Sequence, residues 1–323
     1  MMATAIKFDH VKKAFNGKLV VNDFNLDIQQ GELFVLVGNS GSGKTTSIKM
    51  INRLEDPSTG QILVNDVPTT AYDLQKLRWK IGYVLQQIAL FPNMTVAQNI
   101  TLIPEIKKEQ GDLKRLAKEL LQDVGLNGKD YFDRYPHELS GGEQQRIGIL
   151  RAIASKPPIV LMDEPFSALD PLSRTNLQNL VIDLHKELHN TIVFVTHDMN
   201  EALRLADRIG IMKDGNLLQV GRPQELLRHP ATEYVQEFFR GCLANDLYQT
   251  PLRQAILFTD PKVYPRTPAA GMPVLSDDSN FEKLLNLLSR REEVGVQDPN
   301  GECMGYLDRR WVIKYLSEIN DFS

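Results

Sequence analysis

Gly38-Asn39-Ser40-Gly41-Ser42-Gly43-Lys44-Thr45 decides the fold of this chain. It has the spacing G-x-x-x-x-G-K-[ST] and stands between the apolar run Leu33–Val37 and a predicted helix starting near Lys44. Glycines let backbone N–H groups turn inward around phosphate oxygens with no Cβ in the way. The helix behind the loop points its positive end at the same place. Lys44 is expected to reach the β- and γ-phosphates of a nucleotide, and the Thr45 hydroxyl to ligate Mg²⁺. The predicted phosphate-binding set is Gly38, Asn39, Ser40, Gly41, Ser42, Gly43, Lys44, Thr45 and Thr46.

Outward from the loop, three further apolar runs lack alternation: Tyr83–Leu85, Ile159–Met162 and Ile192–Val195. Short runs of this kind fit parallel strands covered on both faces. Helical patterns separate them, as at Leu113, Leu116, Leu120, Leu121 and Val124 before Gly125. Phe24, Leu26 and Ile28 alternate with polar residues, and Ile62 and Val64 do so more briefly, as in half-buried strands. The fold class expected is α/β with a mostly parallel sheet. Each buried run ends in polar residues: Gly38 and its loop, Gln86, Asp163-Glu164, and Thr196-His197. Ligands of open parallel sheets bind beyond the carboxyl ends of the strands, so these four groups are expected to converge. Adjacent carboxylates at a buried strand end repel each other unless a cation is near, which a Mg²⁺-nucleotide supplies. Asp163 is expected to hold that metal and Glu164 to polarise the attacking water.

The 323 residues suggest two domains. A net charge of −4 excludes a cationic nucleic-acid coat, and 42% hydrophobic content excludes a disordered acidic tail. Two cysteines, Cys242 and Cys303, make neither a disulfide scaffold nor a zinc module and fit a reducing compartment. The N-terminus lacks the apolar core of a secretory signal. Ile81–Pro104 is free of charge, but Gln86, Gln87, Asn93, Gln98 and Asn99 carry polar groups that hydrocarbon does not satisfy. Work at a membrane therefore requires a partner that crosses it. His185 and His189 have the i, i+4 spacing of metal ligands, but their glutamate is misplaced for a zinc protease, and a solvated helix face is expected instead.

Leu139-Ser140-Gly141-Gly142-Glu143-Gln144-Gln145-Arg146 precedes a helical stretch, so Ser140 and two glycines form a second helix start suited to an anion. With this octapeptide, residues 5–235 resemble the nucleotide-binding subunit of an ABC transporter. Leu139–Arg146 resembles the family's signature, Ser167-Ala168-Leu169-Asp170 its D-loop, His197 its switch histidine and Gln86 its Q-loop glutamine. The resemblance implies a P-loop ABC-type fold with a mostly parallel sheet, an antiparallel β subdomain and a helical subdomain. It implies ATP and Mg²⁺ as cofactors, with Thr45, Gln86 and Asp163 around the metal. Glu164, His197 and Gln86 are implied as catalytic, and Phe15 as an adenine-stacking aromatic. Two cassettes are implied to pair head to tail, so that Ser140 and Gly142 contact the γ-phosphate of ATP held by the partner's loop, and Gly141 and Asp170 join the implied nucleotide-binding set.

Among ABC proteins, exporters carry or join membrane domains, while repair and translation branches need a long coiled coil or two cassettes. One cassette with a charge of −4 fits neither nucleic acid nor the ribosome. Met50–Gly60 and Ile81–Pro92 resemble the ATPases of glycine betaine, carnitine and choline importers. That resemblance implies a peripheral subunit at the cytoplasmic face of the cell membrane, with integral-membrane permease subunits and an extracellular or permease-fused solute-binding domain; another small solute is the alternative. The composition shifts near residue 241, dividing an ATPase domain, 1–240, from an accessory domain, 241–323. Val274–Leu316 reads as β-α-β-β-α, which resembles one CBS motif, a nucleotide sensor or a dimerisation module.

Overall fold

Aliphatic runs closed to water on both faces build the larger part of the molecule. The computed structural model describes residues 3–167, 169–243, 251–259, 261, 272–298 and 301–322. Ala168 of the predicted D-loop lies outside the described residues, as do most of residues 246–270. The chain forms two compact units, residues 1–217 and 218–323.

In the first unit, β1 (Thr4–Phe15) and β2 (Lys18–Gln29) make a hairpin. Asn16 and Gly17, both at positive φ, supply the two-residue turn whose twist matches the strands. Phe24, Leu26 and Ile28 of β2 are buried while Asn25 and Asp27 face out, as their alternation predicts. β3 (Leu33–Gly38) is buried throughout and feeds α1 (Lys44–Ile51) through the phosphate loop. β4 (Thr59–Val64) and β5 (Val67–Pro68) complete an antiparallel sheet of order β2-β1-β4-β5. α2 (Leu74–Trp79) leads to β6 (Ile81–Val84). Four helices follow: α3 (Val96–Ile106), α4 (Leu113–Asp123), α5 (Gly128–Tyr131) and α6 (Gly141–Ile153). They pack together, α3 against α4 and α6. Then come β7 (Ile159–Asp163), α7 (Pro171–Leu188), β8 (Thr191–Thr196), α8 (Met199–Leu205) and β9 (Arg208–Lys213).

Five strands run parallel in the order β9-β3-β8-β7-β6. β7 and β8 are buried at every position, and each fully buried aliphatic side chain contributes about 1.5–3 kcal/mol. This order positions the site. Reading across neighbouring carboxyl ends, the phosphate loop stands beside His197, His197 beside Glu164, and Glu164 beside Gln86.

β10 (Asn216–Gly221) contains the division between the units. In the second, α9 (Pro223–Arg228) packs on α10 (Glu233–Leu243) and on α11 (Leu252–Phe258). β11 (Val274–Ser276), α12 (Phe281–Leu288), β12 (Glu293–Gln297), β13 (Cys303–Asp308) and α13 (Arg309–Phe322) follow. β12 pairs parallel with β11 and antiparallel with β13. Phe281, Trp311 and Tyr315 form the aromatic core, with Trp311 and Tyr315 stacked at 5.4 Å. The Trp311 indole N–H donates to the Thr259 carbonyl at 2.9 Å, which satisfies its one polar atom.

Candidate nucleotide-binding and hydrolysis site

The phosphate loop is shaped by two glycines that tolerate no side chain. Gly43, at φ 101°, caps α1, and a Cβ there would lie 2.6 Å from the Val20 carbonyl oxygen. Gly38 approaches the Met212 carbonyl so closely that a Cβ would come within 2.2 Å of it. The Lys44 ammonium folds back along the loop and donates to the carbonyls of Gly38, at 2.7 Å, and Asn39, at 3.0 Å. Burial holds its pKa below the usual lysine range, opposed by the charges of Glu164 and Asp163.

A cleft of about 490 Å³ opens on this loop, lined by Val20, Asn39, Ser40, Gly41, Gly43, Lys44, Thr45, Thr46, Gln86, Glu164 and His197. The Thr45 hydroxyl donates to Asp163 Oδ1 at 2.7 Å. Burial pushes the Asp163 carboxyl above its usual range, and burial beside Asp163 pushes the Tyr83 phenol up. Glu164 takes a left-handed backbone, φ 43°, and its amide donates to the Val195 carbonyl at 2.9 Å. The strained turn aims its carboxylate into the cleft, where Oε2 meets His197 Nδ1 at 3.0 Å and the Gln86 amide at 3.4 Å. Gln86 lines the cleft and its neighbour Gln87 does not.

Not every predicted residue joins this cluster. Ser140 caps α6, Asp170 caps α7 by accepting the amides of Leu172 and Ser173, and neither lines the cleft. Gly141 and Gly142 stand with Ser140 at the exposed start of α6. Phe15 is exposed at the hairpin tip, its ring 4.6 Å from the Lys13 ammonium. His185, expected on a solvated helix face, is mostly covered, with Nε2 3.8 Å from Asp207.

Sequence reasoning missed Tyr83 and Glu201. Tyr83 shares β6 with three apolar residues and signals nothing polar. Glu201, buried, accepts the Thr196 hydroxyl at 2.6 Å, and the same hydroxyl accepts the Asp198 amide at 3.0 Å. This clamp fixes the chain on both sides of His197. Glu201→Ala strands the buried Thr196 hydroxyl and is expected to cost about 1–3 kcal/mol of stability, measured by urea unfolding. An unchanged midpoint would remove the clamp.

The family model described as ABC transporter matches residues 21–167. The glycine betaine/carnitine/choline transport ATP-binding protein OpuCA of Bacillus subtilis (strain 168) is 54% identical over 235 residues, covering 72% of this chain and 62% of the relative. The osmoprotectant import ATP-binding protein OsmV of Salmonella typhimurium (strain LT2) is 46% identical over 315 residues, covering 94% and 79%. The chain belongs to the ABC transporter ATPase family. Its match spans about three fifths of the length of OpuCA but nearly four fifths of OsmV. The ABC fold is seen also in a solved structure, a dimeric post-hydrolysis state of the ATP-binding cassette MJ0796 bound to ADP and Pi. That chain has a TM-score of 0.62 and 33% identity, over 67% of this chain and 98% of its own. No helix among the described residues is long and apolar enough to cross a membrane.

Proposed function

We propose that this chain is the ATP-hydrolysing subunit of an importer for a quaternary ammonium osmoprotectant of the glycine betaine, carnitine and choline class. The observation that carries the ATPase reading is the meeting of the Lys44 loop, His197, Glu164 and Gln86 along adjacent ends of one parallel sheet. The solute class rests on the names of the relatives, whose cassettes share about half their residues with this one.

The loop amides and Lys44 bind the phosphates, with Thr45 and Thr46 at the start of α1. Glu164 accepts a proton from the attacking water, and His197 and Gln86, both touching its carboxylate, orient that water and the γ-phosphate. Thr45, Asp163 and Gln86 offer only oxygen ligands, a set that fits Mg²⁺, and the 2.7 Å Thr45–Asp163 contact brings two of them together. Bound Mg²⁺ would neutralise charge developing on the phosphate oxygens. The adenine ring stacks on Phe15, whose exposed face supports that role.

Ser140, Gly141, Gly142 and Asp170 stand outside their own chain's cleft, which supports a head-to-tail pair in which they complete a second copy's site. An apolar groove of about 500 Å³ lies next to the Gln86 segment, with Leu85, Phe91 and Ile106 exposed around it. It suits a cytoplasmic segment of the permease, through which Gln86 couples to transport. The solute itself is captured by an extracellular or permease-fused domain. Residues 1–240 act as the ATPase and 241–323 as an accessory domain, whose β11-α12-β12-β13-α13 order supports a CBS-like module.

In salt-stressed cells, deletion of this chain is expected to abolish uptake of labelled betaine or carnitine. Persisting uptake, together with the loss of another solute's, would assign a different cargo.

A further inference from the structure

A short chain of hydrogen bonds stands behind Ser140. Glu143, one turn into α6, accepts the Ser140 amide at 2.7 Å and the Ser140 hydroxyl at 2.8 Å, both on Oε2. Its own amide donates back to Ser140 Oγ at 3.3 Å. Its other oxygen, Oε1, accepts the Tyr131 hydroxyl at 2.6 Å, across 12 residues of sequence. Tyr131 closes α5, and the Arg134 guanidinium stacks on its ring at 4.4 Å. The segment is held in place by α3, whose Val96 and Ala97 amides donate to the carbonyls of Arg134 and Phe132.

We propose that Tyr131 is a positioning residue for the signature serine, acting through Glu143. This rests on the reading in which Ser140 donates to the γ-phosphate of a partner's ATP. In the structure the Ser140 proton is committed to Glu143, so donation to a phosphate requires that proton to turn away. A carboxylate abandoned by its donor is costly unless others remain. Tyr131 supplies the remaining side-chain donor. With the phenol on Oε1 and the Ser140 amide on Oε2, Glu143 releases the hydroxyl without becoming an orphaned charge. The hydrogen bond also holds the Glu143 pKa below its usual range, so the carboxylate stays ionised and keeps the helix start rigid.

The test measures steady-state ATP hydrolysis and ATP binding in the full chain. Ser140→Ala slows hydrolysis. Tyr131→Phe is expected to lower kcat about tenfold, the equivalent of one lost hydrogen bond to a charged group, with ATP affinity in its own loop unchanged. In a Ser140→Ala background Tyr131→Phe has no further effect, a coupling that general destabilisation would not produce. Glu143→Gln gives a similar slowing and likewise makes Tyr131→Phe silent. Normal turnover in Tyr131→Phe beside a slow Ser140→Ala overturns the positioning role alone, and so does a slowing that multiplies with that of Ser140→Ala. Normal turnover in Ser140→Ala overturns the signature reading on which it rests.

Discussion

Glu164→Gln is expected to bind ATP as well as the parent chain and to hydrolyse it at least a hundredfold more slowly. The substitution is isosteric, so the amide still meets His197 and Gln86 at the positions the carboxylate holds now, 3.0 and 3.4 Å away. What it removes is basicity. A positioned general base contributes about 10²–10⁴ to a rate, and among the described residues no other carboxylate lines the cleft. Asp163 does not replace it, because its Oδ1 is engaged by Thr45 and it is not among the residues that line the cleft. The backbone makes a second demand: Glu164 occupies φ 43°, a conformation a branched residue resists, and Gln tolerates it as Glu does. Binding is expected to hold or to tighten, since a negative charge facing the γ-phosphate is gone. Hydrolysis within tenfold of the parent rate would take the base role from Glu164. A parallel loss of ATP affinity would show instead that the carboxylate organises the loop.

Much of this site was legible before the fold. The G-x-x-x-x-G-K-T spacing and four apolar runs ending in polar residues place the loop, Gln86, Glu164 and His197 at strand ends, because a strand buried on both faces leaves no room for them elsewhere. The order of those ends was not legible, since strand order comes from crossovers and not from local periodicity. Tyr83 and Glu201 were hidden for a related reason. Each serves a neighbour brought near by the sheet or by a loop turn, and neither interrupts its own element's pattern. Tyr131 reaches Glu143 across 12 residues through the folded chain, a tertiary event with no signal in spacing. In the C-terminal part the composition changes near residue 241, ahead of the prolines that begin at Pro251, while packing divides the chain after Leu217. α9 and α10 explain the offset: their apolar faces pack with α11 and α13, and composition does not report which partner covers a helix.

Lys44→Ala is expected to weaken ATP binding by at least about thirtyfold while leaving the affinity for adenosine unchanged. The ammonium is nearly inaccessible, and burial already lowers its pKa, so it is held in a site where its charge is poorly solvated. Two carbonyls, Gly38 and Asn39, now satisfy it at 2.7 and 3.0 Å, and they fix it at the floor of the loop where the phosphates enter. A triphosphate offers a desolvated cation far more than a neutral carbonyl does, and truncating one member of such a buried charge pair costs about 2–5 kcal/mol. That range spans roughly thirtyfold to several thousandfold in affinity. Adenosine, which carries no phosphate, separates this effect from damage to the fold, because the stacking proposed for it on Phe15 does not pass through Lys44. Lys44→Met keeps the apolar stem and loses only the charge, and it is expected to bind ATP as poorly as Lys44→Ala. If Lys44→Met binds ATP normally, the ammonium is a structural tie between loop carbonyls and the amides alone hold the phosphates. If adenosine binding falls alongside ATP, Lys44 maintains the cleft's shape rather than its charge.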